Sequence, residues 1–142
     1  MSEPAPGGLG VVRGWALLDL GTGLLLLLPP GASQLLGALD VLAARLPGSP
    51  RLDPAALGPL GMFFCNLAGA LALLWALVRL ARPSRFLGLA DATARLGVAL
   101  LIAAHVGLAG LPWSLALFVL SELCGALHQG WALNGRRVPR PR

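Results

Sequence analysis

The chain has 142 residues, of which 56% are hydrophobic and only 12% charged, with a formal net charge of +5. A mean hydropathy of +0.77 lies outside the range of ordinary soluble domains and marks an integral membrane chain. That length holds about four spanning helices of roughly 20 residues each and leaves no room for a separate soluble domain, so a single transmembrane domain over residues 1–142 is expected. All eleven basic residues are arginine and most flank apolar runs, which assigns the positive charge to orientation in the membrane rather than to nucleic acid. Cys65 and Cys124 fall in apolar runs without CxxC spacing or a histidine at ligand spacing. No disulfide framework, metal site or cofactor is therefore indicated.

Residues 1–10 form a lead rich in glycine and proline. The first span is predicted from about Val12 to Leu28, ending where Pro29-Pro30-Gly31 removes backbone donors. Its start has the look of a signal peptide, but Asp19 interrupts the apolar run, and the segment reads as a retained transmembrane helix. Ser33 suits an N-cap for an amphipathic helix over about 34–46, too short to span and expected along the interface with Asp40 and Arg45 toward water. Three further spans are predicted at about 54–80, 86–107 and 113–133. The expected architecture is all-α, a four-helix membrane bundle with one interfacial helix between its first two spans.

Arginines at 79, 82 and 85, at Arg13 and at 136, 137, 140 and 142 place the N-terminus, the link between spans two and three, and the C-terminus in the cytoplasm. Arg45 and Arg51 on the opposite side weaken that bias without reversing it. Gly-rich phosphate loops, nucleophile elbows and HExxH patterns are absent from the sequence, which removes most soluble enzyme chemistries.

Charged and amide side chains inside hydrocarbon are costly and point to partners, cavities or ligands. Asp19, Asn66, Asp91, Arg95, Glu122 and Gln129 are all so placed. At 1.5 Å of rise per residue, all but Asn66 fall roughly 6–16 Å from the cytoplasmic ends of their spans, the depth overlap that a common cavity requires. Asp91 and Arg95 are spaced i,i+4 and can pair; a structural ion pair and a functional role are equally good readings of them. Glu122 has no cation nearby in sequence. Desolvation would then keep it protonated and able to donate to a substrate, whereas pairing with Arg95 would hold it ionised.

Asp19 is a second acid, either the base of an acid/base pair or a partner of Arg13 or Arg95. Asn66 and Gln129 read more readily as hydrogen bonds between helices than as ligands. Trp15, Trp75, Trp113 and Trp131 lie near the outer turns of their spans, as belt residues do; Trp75 and Trp15 could also wall a cavity or face a cation. His128 reads as interfacial and His105 as remote from the cluster.

The blocks Phe64-Cys65-Asn66-Leu67-Ala68-Gly69, Trp75-Ala76-Leu77-Val78-Arg79 and Ala90-Asp91-Ala92-Thr93-Ala94-Arg95, with Glu122 and Gln129, sit in an architecture that resembles the DoxX-like small bacterial membrane proteins. The resemblance implies four short spans with an extra interfacial segment, and a non-catalytic accessory or lipophile-binding role; it carries over no catalytic residues. In placing acids and tryptophans inside a bundle the chain also resembles membrane-embedded isomerases and terpene cyclases, which are longer. The leading expectation is an enzyme isomerising or cyclising a lipophilic substrate from the bilayer. Glu122 would be the general acid, Asp19 or Asp91 the base and Arg95 the tuning group, with Asn66, Gln129, Trp75 and Trp15 around the substrate. Its partners would be the lipid bilayer, the lipophile and either a second copy or another membrane protein. A proton-coupled transporter is the weakest reading, since four helices enclose little path without oligomerisation.

Overall fold

A computed structural model describes residues 6–134, and all the regular structure among them is helical. Helix α1 runs Pro6–Leu27 and α2 Pro29–Ala43. Proline at the start of a helix loses only an N–H that has no intrahelical partner there, and its fixed φ suits the first turn. The proline pair therefore ends α1 and also opens α2. Leu28, not Ser33, is the N-cap, so α2 starts earlier than the Ser33 signal predicts.

Ala32, Leu39 and Ala43 of α2 are buried against the bundle. Asp40 fastens the chain that follows, accepting from Arg51 Nε at 2.7 Å, Arg51 Nη2 at 2.5 Å and the Leu52 amide at 3.0 Å. Asp53 caps a single 3-10 turn, Pro54–Leu57, through the Ala55 amide at 2.9 Å. Helix α3 spans Gly58–Ala81 and α4 Arg85–Leu108. Ser84 caps α4, its hydroxyl accepting from the Leu87 amide at 3.1 Å. A second 3-10 turn, Trp113–Leu115, leads into α5, Ala116–Asn134.

The helices pack as two pairs, α1 with α3 and α4 with α5; the pairs meet through α1 and α5, while α3 and α4 stand apart across a cleft. Glycine sets the first pair. A Cβ on Gly69 would come within 2.4 Å of the Leu27 nitrogen, and one on Gly23 within 2.8 Å of the Leu73 nitrogen. Such close backbone approach is how helices pack where lipid offers no hydrophobic drive for association.

The distribution of side chains is inverted relative to a soluble protein. The buried apolar residues are mostly alanine, and the largest fully buried side chains are Arg79 and Gln129. Leucines and phenylalanines such as Leu18, Phe63, Phe64, Leu71, Leu100 and Leu127 face outward. Helices α1, α3 and α4 are long and apolar enough to cross a membrane. A chain with its charge inside and its leucines outside is a membrane protein.

Candidate functional site: an ionic cluster beneath a cleft

The α3–α4 link is short, so the last turns of α3 and the first turns of α4 lie at the same end of the bundle. There α3 presents Trp75 and Arg79, α4 presents Asp91 and Arg95, α1 contributes Asp19 and α5 contributes Glu122 and Gln129. All seven join in one network.

Asp91 is its centre. Its Oδ2 accepts from Arg79 Nη1 at 2.6 Å, Arg95 Nε at 2.9 Å and Gln129 Nε2 at 2.7 Å. Its Oδ1 accepts from Trp75 Nε1 at 2.7 Å. Three helices thus supply the four donors to one carboxylate, and the group is held in place with both oxygens engaged.

Arg79 is fully buried and reaches Asp19 Oδ2 through Nη2 at 2.5 Å, while its Nε donates to the Trp75 carbonyl at 3.4 Å. Arg95 donates to Asp91, to Asp19 Oδ2 through Nη2, and to Glu122 Oε2 through Nη1 at 3.0 Å. Every guanidinium nitrogen in the cluster therefore faces an oxygen. Two aromatic faces complete the cover, with Arg95 Cζ 5.0 Å from the Trp15 ring centroid and Arg79 Cζ 5.7 Å from that of Trp75. Gly125 makes space for Arg95, because a Cβ there would lie 2.9 Å from Arg95 Cδ.

Above this network the cleft opens into a cavity of about 360 Å³. Its apolar wall is built by Leu26, Ala68, Ala72, Val98 and Phe118, and its floor by the ionic residues. The volume falls at the low end of the range for small-molecule sites. Two carboxyls reach it incompletely bound: among the described residues, Asp19 Oδ1 and Glu122 Oε1 accept no hydrogen bond.

The structure thus brings Asp19, Asp91, Arg95, Glu122, Gln129 and Trp75 to one place, and sets Trp15 against Arg95 from the far side. The belt reading of Trp15 and Trp75 gives way, since both are engaged with the cluster. Trp15 also donates to exposed His128 Nδ1 at 3.3 Å. His105 pairs with its own helix, at the Leu101 carbonyl, 2.9 Å away.

Asn66 is elsewhere. Its Nδ2 donates to the carbonyls of Leu26 and Leu27 at 3.1 and 2.8 Å. Pro30 cannot donate to the first of these. Asn66 is therefore the C-terminal cap of α1 delivered from α3, and it does not line the cavity. Gln129 also lies outside the lining, fully buried beneath Asp91, with Oε1 unpartnered among the described residues.

Arg79 is the member that sequence reasoning assigned elsewhere, to the orienting arginines. Two signals point to it. Three acids inside spans outnumber the one cation counted there, and Arg79 continues the small, buried face of α3 through Gly69 and Ala76.

Cluster and cleft together define a helical membrane protein with a polar site inside its helix bundle. Comparisons with protein-family models, with curated proteins and with solved structures find no match for this chain.

Proposed function

We propose that the chain is a four-span protein of the cytoplasmic membrane that admits a lipophilic molecule into the cleft between α3 and α4 and transfers a proton to it, in an isomerisation or cyclisation. Glu122 is the proton donor. Asp19, with its open oxygen at the same cavity, is the base that receives a proton from the product side. Asp91, Arg79 and Arg95 are positioning residues that hold these two acids, and Gln129 holds Asp91.

The observation that carries this reading is charge arithmetic. The cluster contains three carboxyls, on Asp19, Asp91 and Glu122, against the two guanidiniums of Arg79 and Arg95. Full ionisation would leave one uncompensated negative charge in a low-dielectric site, so one proton is the natural partner of the surplus acid. Glu122 contacts only one guanidinium, whereas Asp19 and Asp91 each contact both. The transferable proton is thereby assigned to Glu122.

The test is deuterium transfer. Membranes containing the chain are incubated in D2O and their lipophilic extract is analysed by mass spectrometry for deuterium bound to carbon. Wild type should label a specific compound, and Glu122→Gln should not. Equal labelling, or none, in both removes the mechanism.

One observation favours a second reading, a non-catalytic accessory or lipophile-binding protein of the DoxX-like kind. The network satisfies itself, with every guanidinium nitrogen matched and both Asp91 oxygens engaged, as packing between helices requires. Under that reading Glu122→Gln changes neither bound lipophile nor labelling.

The cytoplasmic assignment of the α3–α4 link rests on Arg82 and Arg85, with Arg13 and the arginines beyond residue 134 on the same side; Arg79 no longer counts toward it. Residues 136–142 lie outside the described residues.

A further inference from the structure

The cluster has basic and acidic members, but the cavity does not meet them equally. The Arg79 and Arg95 side chains are 0% and 4% exposed, and Asp91 is 3% exposed. Asp19 and Glu122 are 18% and 20% exposed. The guanidiniums are thus sealed beneath their own counter-ions, and the charge offered to an incoming molecule is carboxylate.

The remaining donors on the lining are likewise spent. Trp75 Nε1 donates to Asp91, and the Thr22 hydroxyl donates to the Leu18 carbonyl at 3.2 Å. What is left open are two acceptor oxygens, one on α1 and one on α5, under the apolar wall of Leu26, Ala72, Val98 and Phe118.

We infer that the cavity selects lipophilic amines: molecules whose hydrocarbon part lies along that wall and whose nitrogen carries positive charge between Asp19 and Glu122. A neutral amine arriving from the bilayer takes the Glu122 proton onto its nitrogen lone pair. The oxygen–hydrogen bond breaks, a nitrogen–hydrogen bond forms, and an ammonium–carboxylate pair remains with no other atom exchanged. An already charged ammonium displaces the same proton to water. Either way the cluster stays neutral, with two guanidiniums and one ammonium facing three carboxylates. A phosphate, sulfonate or fatty-acid head would meet the Asp19 carboxylate and, apart from the Glu122 O–H, no unspent donor and no free cation, so its charge would stay uncompensated in low dielectric.

This inference rests on the reading that the cleft takes a lipophile from the bilayer, but not on the acid/base reaction. The test uses two permanently charged probes of equal chain length, decyltrimethylammonium and decane-1-sulfonate. Each is titrated into full-length protein in phosphatidylcholine nanodiscs, with empty nanodiscs subtracted. Wild type should bind the ammonium saturably and at least tenfold more tightly than the sulfonate. Glu122→Gln should weaken ammonium binding at least tenfold. Ala94→Phe narrows the cavity without touching a charge and should abolish saturable binding.

Equal affinity for the two probes, a preference for the sulfonate, or no saturable binding of either overturns the inference. So does ammonium binding that survives Ala94→Phe, because it then occurs outside the cavity. If ammonium selectivity holds while deuterium transfer fails, the ligand class stands and the acid/base mechanism falls; the converse pair of results leaves the mechanism and removes the ligand class.

Discussion

Replacing Arg79 by methionine is the sharpest perturbation of the structure, because it keeps the length of the side chain and deletes only charge and donors. Arg79 is fully buried and holds Asp19 at 2.5 Å and Asp91 at 2.6 Å. Without it three carboxyls face a single guanidinium. Breaking a buried pair by removing one partner costs about 3–5 kcal/mol, because the remaining charge stays desolvated. For a chain of this size, each kcal/mol corresponds to roughly 3 °C in Tm, so a fall of about 10 °C is expected. The assay is thermal unfolding in neutral detergent followed by size-exclusion fluorescence. Arg82→Met is the control, an exposed arginine three residues on that should move Tm little. Adding Asp19→Asn to Arg79→Met should recover part of the loss, because the two contacts are coupled. An Arg79→Met chain that melts with Arg82→Met would refute the claim that Arg79 neutralises the cluster.

Three further outcomes follow from other parts of the molecule. Gly69→Ala should destabilise markedly, since its Cβ would lie 2.4 Å from the Leu27 nitrogen, whereas Gly97→Ala, with open space around it, should be neutral or gain up to about 1 kcal/mol of helix propensity; equal melting of the two variants contradicts the α1–α3 contact. Asn66→Leu should cost about 1–3 kcal/mol by stranding the Leu26 and Leu27 carbonyls, while ammonium binding to the folded fraction is unchanged; loss of binding would return Asn66 to the site. Arg51 holds the Asp40 carboxyl below its ordinary value of 3.8, chiefly through their hydrogen bond. With a depressed folded pKa, the stabilisation is complete above that ordinary value and disappears as pH falls below it. The Tm difference between wild type and Arg51→Ala should therefore shrink as pH is lowered below 3.8, and a difference that does not shrink would contradict the assignment.

Much of the helical layout was readable because proline and glycine punctuate long apolar runs. Pro83-Ser84 and Pro112 mark the starts of α4 and α5 to within a few residues. The start of α2 was not so readable, because Ser33 offers a cap signal that the preceding proline pair pre-empts. Asp19, Asp91, Arg95 and Glu122 were visible as a set because each interrupts hydrocarbon. Arg79 was not, because an arginine near a helix end ordinarily extends to water. Only the third dimension shows that here it turns inward, 60 residues from the acid it meets. Asn66 and Gln129 are alike in sequence, yet one caps a helix and the other supports a carboxylate; the difference lies in which carbonyl or carboxylate a neighbouring helix sets opposite.

The chain order of the cluster bears on how the protein is made. Asp91 is synthesised between Arg79 and Arg95 and can be neutralised as soon as α4 follows α3. Asp19 has no such neighbour. Its two guanidiniums lie 60 and 76 residues downstream, and the glycine contact that seats α1 also belongs to α3. Helix α1 therefore emerges from the ribosome with an acid in its apolar stretch before either guanidinium that binds it is made. Its acid first meets a buried guanidinium when Arg79 arrives, so the charge of the first helix is balanced by the third.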